Sequence, residues 1–165
     1  EEHNIYLAIH PDDPPINLFG IPRIVSTFED LEMICNCYLS DNNGLTLCVG
    51  SLGSINKNDV NMITEKLSSK IHFVHLRNII KDKHTIMLNS FTESSHLSGD
   101  IDMAYVVNKM LSEKRSFNIS FRPDHGLLIL DDIKKQNINP GYSLIGRLKG
   151  LAELRGLIYG LRYIL

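Results

Sequence analysis

Neither sign of charge predominates in this chain. Its 17 Lys and Arg against 19 Asp and Glu leave a formal net charge of -2. Nothing in that balance points to nucleic acid or an anionic membrane surface as a partner. Long apolar runs are missing too. A membrane span needs roughly 18 apolar residues, and the most apolar segment, Leu151 to Leu165, is broken by Glu153, Arg155 and Arg162. Cysteine is scarce: Cys35, Cys37 and Cys48 are an odd number, which without a secretory signal argues against a disulfide framework. Cys35-Asn36-Cys37 lies in a helical pattern and reads as two thiols acting as small apolar residues. No basic leader or cleavage-site pattern precedes the first apolar run, so residence in the cytoplasm is the expectation. The chain opens on Glu1-Glu2-His3-Asn4 rather than on Met, and so reads as cut into partway.

What is present is ordinary for one globular domain. There are 165 residues, 43% apolar and 22% charged. Short apolar runs alternate with helical patterns. Ile5 to Ile9 predicts a first strand, followed by a Pro-rich loop from Pro11 through Pro22. Ser26-Thr27-Phe28-Glu29 carries a capping-box signal, a hydroxyl with a carboxylate three residues on. Leu31, Ile34, Cys35 and Tyr38 form the apolar face of the helix it opens. Leu45 to Val49 predicts a second strand, and a helix is expected from about Asp59 to Ser69 with Val60, Ile63 and Leu67 on one face. Ile71 to Leu76 predicts a third strand, then a long polar loop, then a helix from about Asp100 to Glu113 with Ile101, Tyr105, Val106 and Met110 inward. Ile119 to Phe121 predicts a fourth strand. A last helix spans about Ser143 to Tyr163, its glycines 146, 150, 156 and 160 permitting close packing.

Strands alternating with helices of ten or more residues imply an α/β fold with a parallel sheet. About four βα units are visible across residues 1–165, read as a single partial domain. An open doubly wound sheet and half of an eight-stranded barrel both fit that number. No GxGxxG follows the first strand, which weakens the dinucleotide-binding version.

Each predicted strand ends at a candidate metal ligand: His10, Cys48, His75 and Asp124. Parallel strands put their C-terminal ends on one side, where barrel enzymes gather catalytic groups. Two imidazoles, a thiolate and a carboxylate suit a borderline divalent ion such as Mn, Fe, Co or Zn, and not Ca or Mg. Structural zinc sites use more thiolates in close pairs. The same layer holds Arg77, Asn78 and Arg122 as candidate substrate contacts, arginine being able to grip a carboxylate through paired hydrogen bonds. His125 is a candidate for proton transfer near neutral pH, and Tyr142 for donating a proton to a leaving hydroxyl. His96 is a candidate lid contact to substrate. Asp12 and Asp13 read as loop-capping groups.

Several longer motifs carry a resemblance. His10-Pro11-Asp12-Asp13-Pro14-Pro15, Phe19-Gly20-Ile21-Pro22-Arg23-Ile24, Asn43 to Cys48, His72 to Arg77, Arg122-Pro123-Asp124-His125-Gly126, Leu130-Asp131-Asp132 and the run from Asn139 through Gly156 resemble mannonate dehydratase. The resemblance covers essentially the whole chain in order. It implies the C-terminal half of a TIM-like (β/α)8 barrel of the xylose-isomerase type and a Mn2+ or Fe2+ cofactor. It also implies conversion of the sugar acid D-mannonate to 2-dehydro-3-deoxy-D-gluconate plus water in hexuronate catabolism. The family's metal ligands fall on His10, Cys48, His75 and Asp124, and its acid/base region on Asp124, His125 and Tyr142. Family chains are roughly twice this length, so the resemblance also implies a missing N-terminal half, or a homo-oligomer closing the exposed sheet edges. Where relatives often carry Phe-His-Glu this chain has Phe91-Thr92-Glu93. A metal-dependent sugar isomerase or epimerase, and an inactive metal-binding half-barrel needing a partner, are the competing expectations.

Overall fold

The computed structural model describes residues 1–82 and 90–163. Its centre is a parallel sheet of three strands, β1 (Leu45–Cys48), β2 (Ile71–His75) and a strand at Ser120–Arg122, in that order. β1 is buried at every position, as a strand covered on both faces must be. Cys48 lies opposite His75, and His75 opposite Arg122, so the register aligns the strand ends.

The predicted first strand is a correction. Ile9 makes a single parallel bridge to Leu45, and no ladder forms over Ile5–Ile9. The segment runs extended beside β1 through Leu7 N–H to Asn42 O, Ile9 N–H to Gly44 O and Thr46 N–H to Ile9 O. Ile5 and Leu7 are exposed, so of Ile5, Leu7 and Ile9 only Ile9 packs against the core and reinforces the pairing.

A second correction concerns the polar loop after β2. It contains an antiparallel pair, β3 (Ile79–Lys81) with β4 (Phe91–Glu93), so the last parallel strand is β5. Residues 83–89 of that loop lie outside the described residues.

The helices follow their local signals closely. α1 (Phe28–Cys37) is capped one residue later than expected: Thr27 Oγ1 accepts from Asp30 N–H, and the Asp30 carboxylate accepts from the Ser26 and Thr27 N–H groups. Ser26 turns its own hydroxyl toward Asp12 instead. Cys35 is buried and Cys37 exposed, so only the first thiol acts as a core residue. Tyr38 is exposed as the C-cap of α1. A short helix, α2 (Val49–Gly53), begins directly at the end of β1, so Val49 is helical rather than the last residue of the strand. α3 (Val60–Leu67) starts from Asp59, whose side chain accepts from Met62 N–H. A 3-10 turn at Ser68–Lys70 leads from it into β2.

α4 (Met103–Ser112) starts from Asp102 in the same manner and buries Met103, Val106, Val107 and Met110. Tyr105 points outward from it, against expectation, with its hydroxyl beside Glu65. α5 (Leu144–Arg162) starts from Ser143, whose hydroxyl accepts from Gly146 N–H. α3 packs on α4 and α4 on α5. Leu45, Leu47, Val74, Ile63, Val106 and Val107 form one continuous core between sheet and helices. Fully burying side chains of this size contributes about 1.5–3 kcal/mol each.

Candidate metal centre

His10 follows the extended segment beside β1, Cys48 ends β1, His75 ends β2 and Asp124 lies two residues beyond β5. Adjacent parallel strands therefore deliver all four side chains to one end of the sheet. Ligand atoms of His10, Cys48 and His75 lie within 4.8 Å of one another. Asp124 lies beside this group of three, with Oδ2 3.7 Å from His75 Nδ1. Asp124 has a φ of +64°. A side chain held in the left-handed region costs of order 1–3 kcal/mol and persists only where its surroundings fix it.

The protonation pattern suits a cation. His10 Nδ1 lies 2.6 Å from Pro11 O. A carbonyl only accepts, so Nδ1 carries the proton and Nε2 presents its lone pair. That Nε2 lies 3.1 Å from His75 Nδ1. A neutral His75 can donate its Nδ1–H across that contact, and a bound cation could take the place of that proton. Burial pushes the His75 imidazole below its ordinary pKa, with Asp124 pulling the other way, and the net lowering favours the neutral form that ligates. Burial pushes the Cys48 thiol up to about 12, so without a cation it stays protonated near neutral pH. A bound divalent ion reverses that balance and holds the thiolate. His10, Cys48 and His75, with the Asp124 carboxylate beside them, could hold a borderline transition metal.

Around this centre the structure separates residues that the sequence could not. Arg122 stands at the rim, half-exposed, with Nη2 3.4 Å from Asp124 Oδ1. His125 turns Nε2 toward Asp124 Oδ2, 3.8 Å away, and its ring centroid lies 5.4 Å from that of Tyr142. Arg147 covers the Tyr142 ring, its guanidinium carbon 5.5 Å from the centroid.

The other expected substrate contacts are taken up by the fold. Asn78 is 1% exposed. Its Oδ1 accepts from the Ile79 and Ile101 N–H groups, and its Nδ2 donates to His96 O and Ile101 O. All four hydrogen-bonding positions of the amide are thereby filled. His96 is buried against Gly150 of α5, with Nε2 2.9 Å from Pro123 O. Arg77 is buried and forks onto Glu93, with Nε 2.9 Å from Oε1 and Nη2 2.5 Å from the same oxygen, while Nη1 meets Asp13 Oδ2 at 2.6 Å. Asp12 anchors the Pro-rich loop through the N–H groups of Ile24 and Val25.

Glu93 is the residue that sequence reasoning missed. It lies on β4 and joins Arg77 to His125 Nδ1, which is 3.0 Å from Oε1. No local pattern marks it, because its partners stand 16 and 32 positions away along the chain. Thr92 is exposed on the same strand.

A family model described as D-mannonate dehydratase (UxuA) matches residues 1–164. Mannonate dehydratase 2 of Agrobacterium fabrum is 48% identical over 96% of this chain and 40% of its own length. Mannonate dehydratase of Saccharophagus degradans is 44% identical over 99% of this chain and 42% of its own. The crystal structure of mannonate dehydratase from Streptococcus suis serotype 2 superposes with a TM-score of 0.87 at 40% identity, over 99% of this chain and 45% of that one. The chain thus spans less than half the length of the relatives it matches. Its fold is the α/β fold of that structural neighbour, and the chain belongs to the mannonate dehydratase family.

Proposed function

We propose that this chain supplies the metal-binding part of a dehydratase that converts D-mannonate to 2-dehydro-3-deoxy-D-gluconate and water. The observation that carries the reading is the convergence of His10, Cys48, His75 and Asp124 beside His125 and Tyr142. In architecture, the extended first segment, β1, β2 and β5 run parallel in chain order, as consecutive strands of a barrel do. That order supports a half-barrel of TIM type, completed by a further segment or by a second copy.

His10, Cys48, His75 and Asp124 would hold Mn2+ or Fe2+, which would supply positive charge against the negative charge that develops as the C2 proton leaves. The chain's own residues do the rest. Arg122 at the rim offers a guanidinium to the substrate carboxylate. His125 takes the C2 proton at Nε2, the nitrogen facing Asp124. The Tyr142 ring packs beside that imidazole, and its hydroxyl protonates the departing C3 hydroxyl. Asp124 is a metal ligand and, through its oxygen near His125, the hinge between the cation and proton transfer.

Product analysis tests the reading. Manganese-loaded protein incubated with D-mannonate is expected to yield the 2-keto-3-deoxy acid with loss of one water. A ketose or an epimer, with no loss of water, identifies an isomerase instead. His125→Ala is expected to lower turnover with metal content unchanged; near-normal turnover removes His125 from the mechanism.

A further inference from the structure

We propose that Glu93 is the positioning residue of this site, fixing which nitrogen of His125 carries the proton and where the other one points. The inference rests on the reading of His125 as the proton-transfer group. Glu93 Oε1 lies 3.0 Å from His125 Nδ1. An ionised carboxylate only accepts hydrogen bonds, so the proton sits on Nδ1. The lone pair is then left on Nε2, the nitrogen on the Asp124 side, 3.8 Å from Oδ2.

Glu93 is itself held from behind. Arg77 Nε lies 2.9 and 3.1 Å from its two oxygens, and Nη2 lies 2.5 Å from Oε1. Asp13 closes the row at 2.6 Å from Arg77 Nη1. Three loops and the end of β4 thus contribute one residue each to a line Asp13–Arg77–Glu93–His125. Burial raises the Glu93 carboxyl, and the hydrogen bonds from His125 and Arg77 outweigh it, leaving the group below its ordinary value and ionised. Gly141 also approaches closely: a Cβ there would sit 3.1 Å from His125 Nδ1. The ring is therefore clamped at Nδ1 by the carboxylate and crowded by the Gly141 backbone. Such a clamp sets tautomer and aim, both of which a general base needs before its basicity matters.

Two substitutions separate positioning from mere stability. Glu93→Leu removes the acceptor. Glu93→Gln keeps one: Arg77 has only donors, so the amide oxygen is drawn to the Oε1 position, where it still accepts from His125. The tautomer is read by nitrogen NMR of histidine-labelled, zinc-loaded protein, and kcat and KM for D-mannonate are read on manganese-loaded protein. The expected result has the His125 proton on Nδ1 in the wild type and in Glu93→Gln, and redistributed toward Nε2 in Glu93→Leu. Turnover of Glu93→Leu falls about tenfold or more with KM and metal content unchanged, and Glu93→Gln recovers most of it. A wild-type spectrum with the proton on Nε2 overturns the proposal, even if Glu93→Leu does not fold. So does a Glu93→Leu variant with unchanged tautomer or unchanged kcat. If the wild-type protein leaves D-mannonate untouched, the dehydratase reading fails, while the spectra still decide the role of Glu93.

Discussion

Replacing Gly150 by Ala should destabilise this protein, although glycine is a poor helix residue. In an open helix interior the change gains about 1 kcal/mol. At Gly150 the added Cβ would lie 2.1 Å from His96 Cε1 and 2.4 Å from Nδ1. The ring has nowhere to retreat: it is buried and holds Pro123 O at 2.9 Å through Nε2. Overpacking of this kind costs about 1–3 kcal/mol, and losing the hydrogen bond costs about 0.5–1.5 kcal/mol. The net expectation is a loss of about 2 kcal/mol, or a Tm lower by about 4–8 °C for a chain of this size. Gly156 provides the control on the same helix. No atom lies within 4 Å of a Cβ built there. Gly156→Ala should therefore raise Tm by about 2–4 °C through helix propensity alone. Thermal unfolding of both variants, followed by circular dichroism, makes the comparison. A Gly150→Ala protein as stable as Gly156→Ala would falsify the packing of α5 on His96. Because Pro123 precedes Asp124, Gly150→Ala should also weaken metal binding, which Gly156→Ala should leave alone.

Two further predictions follow from the charge states. The Cys48 thiol is pushed up to about 12 by burial, so binding a divalent ion near pH 7 must displace its proton. Apparent metal affinity should rise with pH, and calorimetric titration in buffers of different ionisation enthalpy should report a released proton that Cys48→Ser no longer releases. Asp132 has its carboxyl lowered from 3.8 to about 2, chiefly by Lys135, then by the N–H of Ile145 and the hydroxyl of Ser143. A carboxyl lowered in the folded state stabilises above its unfolded pKa and loses that contribution as pH falls through the folded one. Wild-type stability should therefore decline between about pH 4 and pH 2 more steeply than that of Asp132→Asn, measured by denaturant midpoints across that range.

What was legible in the sequence had a short range. Strand ends are marked by where apolar runs stop, so His10, Cys48, His75 and Asp124 could be picked out from the sequence; the parallel register of β1 and β2 places Cys48 opposite His75, and His10 lies close to both. Helix starts are marked by hydroxyl and carboxylate caps, which located α1 to within one residue. Partnerships across the fold carry no such mark. Asn78 and His96 have the residue types of substrate contacts, and only their burial shows that their hydrogen bonds belong to the backbone around Ile101 and Pro123. Glu93 looked like part of a polar loop because its partners, Arg77 and His125, lie on other segments. The first segment failed as a strand for a related reason. Its alternation is apolar enough, but Ile5 and Leu7 face no neighbour among the described residues that would bury them.

Titration with Co2+ tests the central claim most directly, since a cobalt–thiolate bond absorbs in the near ultraviolet. The four-ligand centre predicts stoichiometric binding with that band in the wild type. Cys48→Ser should lose the band while still binding weakly, and His75→Ala and Asp124→Ala should bind more weakly than the wild type. Stoichiometric binding with no thiolate band, or with affinity untouched by the Cys48, His75 and Asp124 substitutions, would place the metal elsewhere and contradict the account.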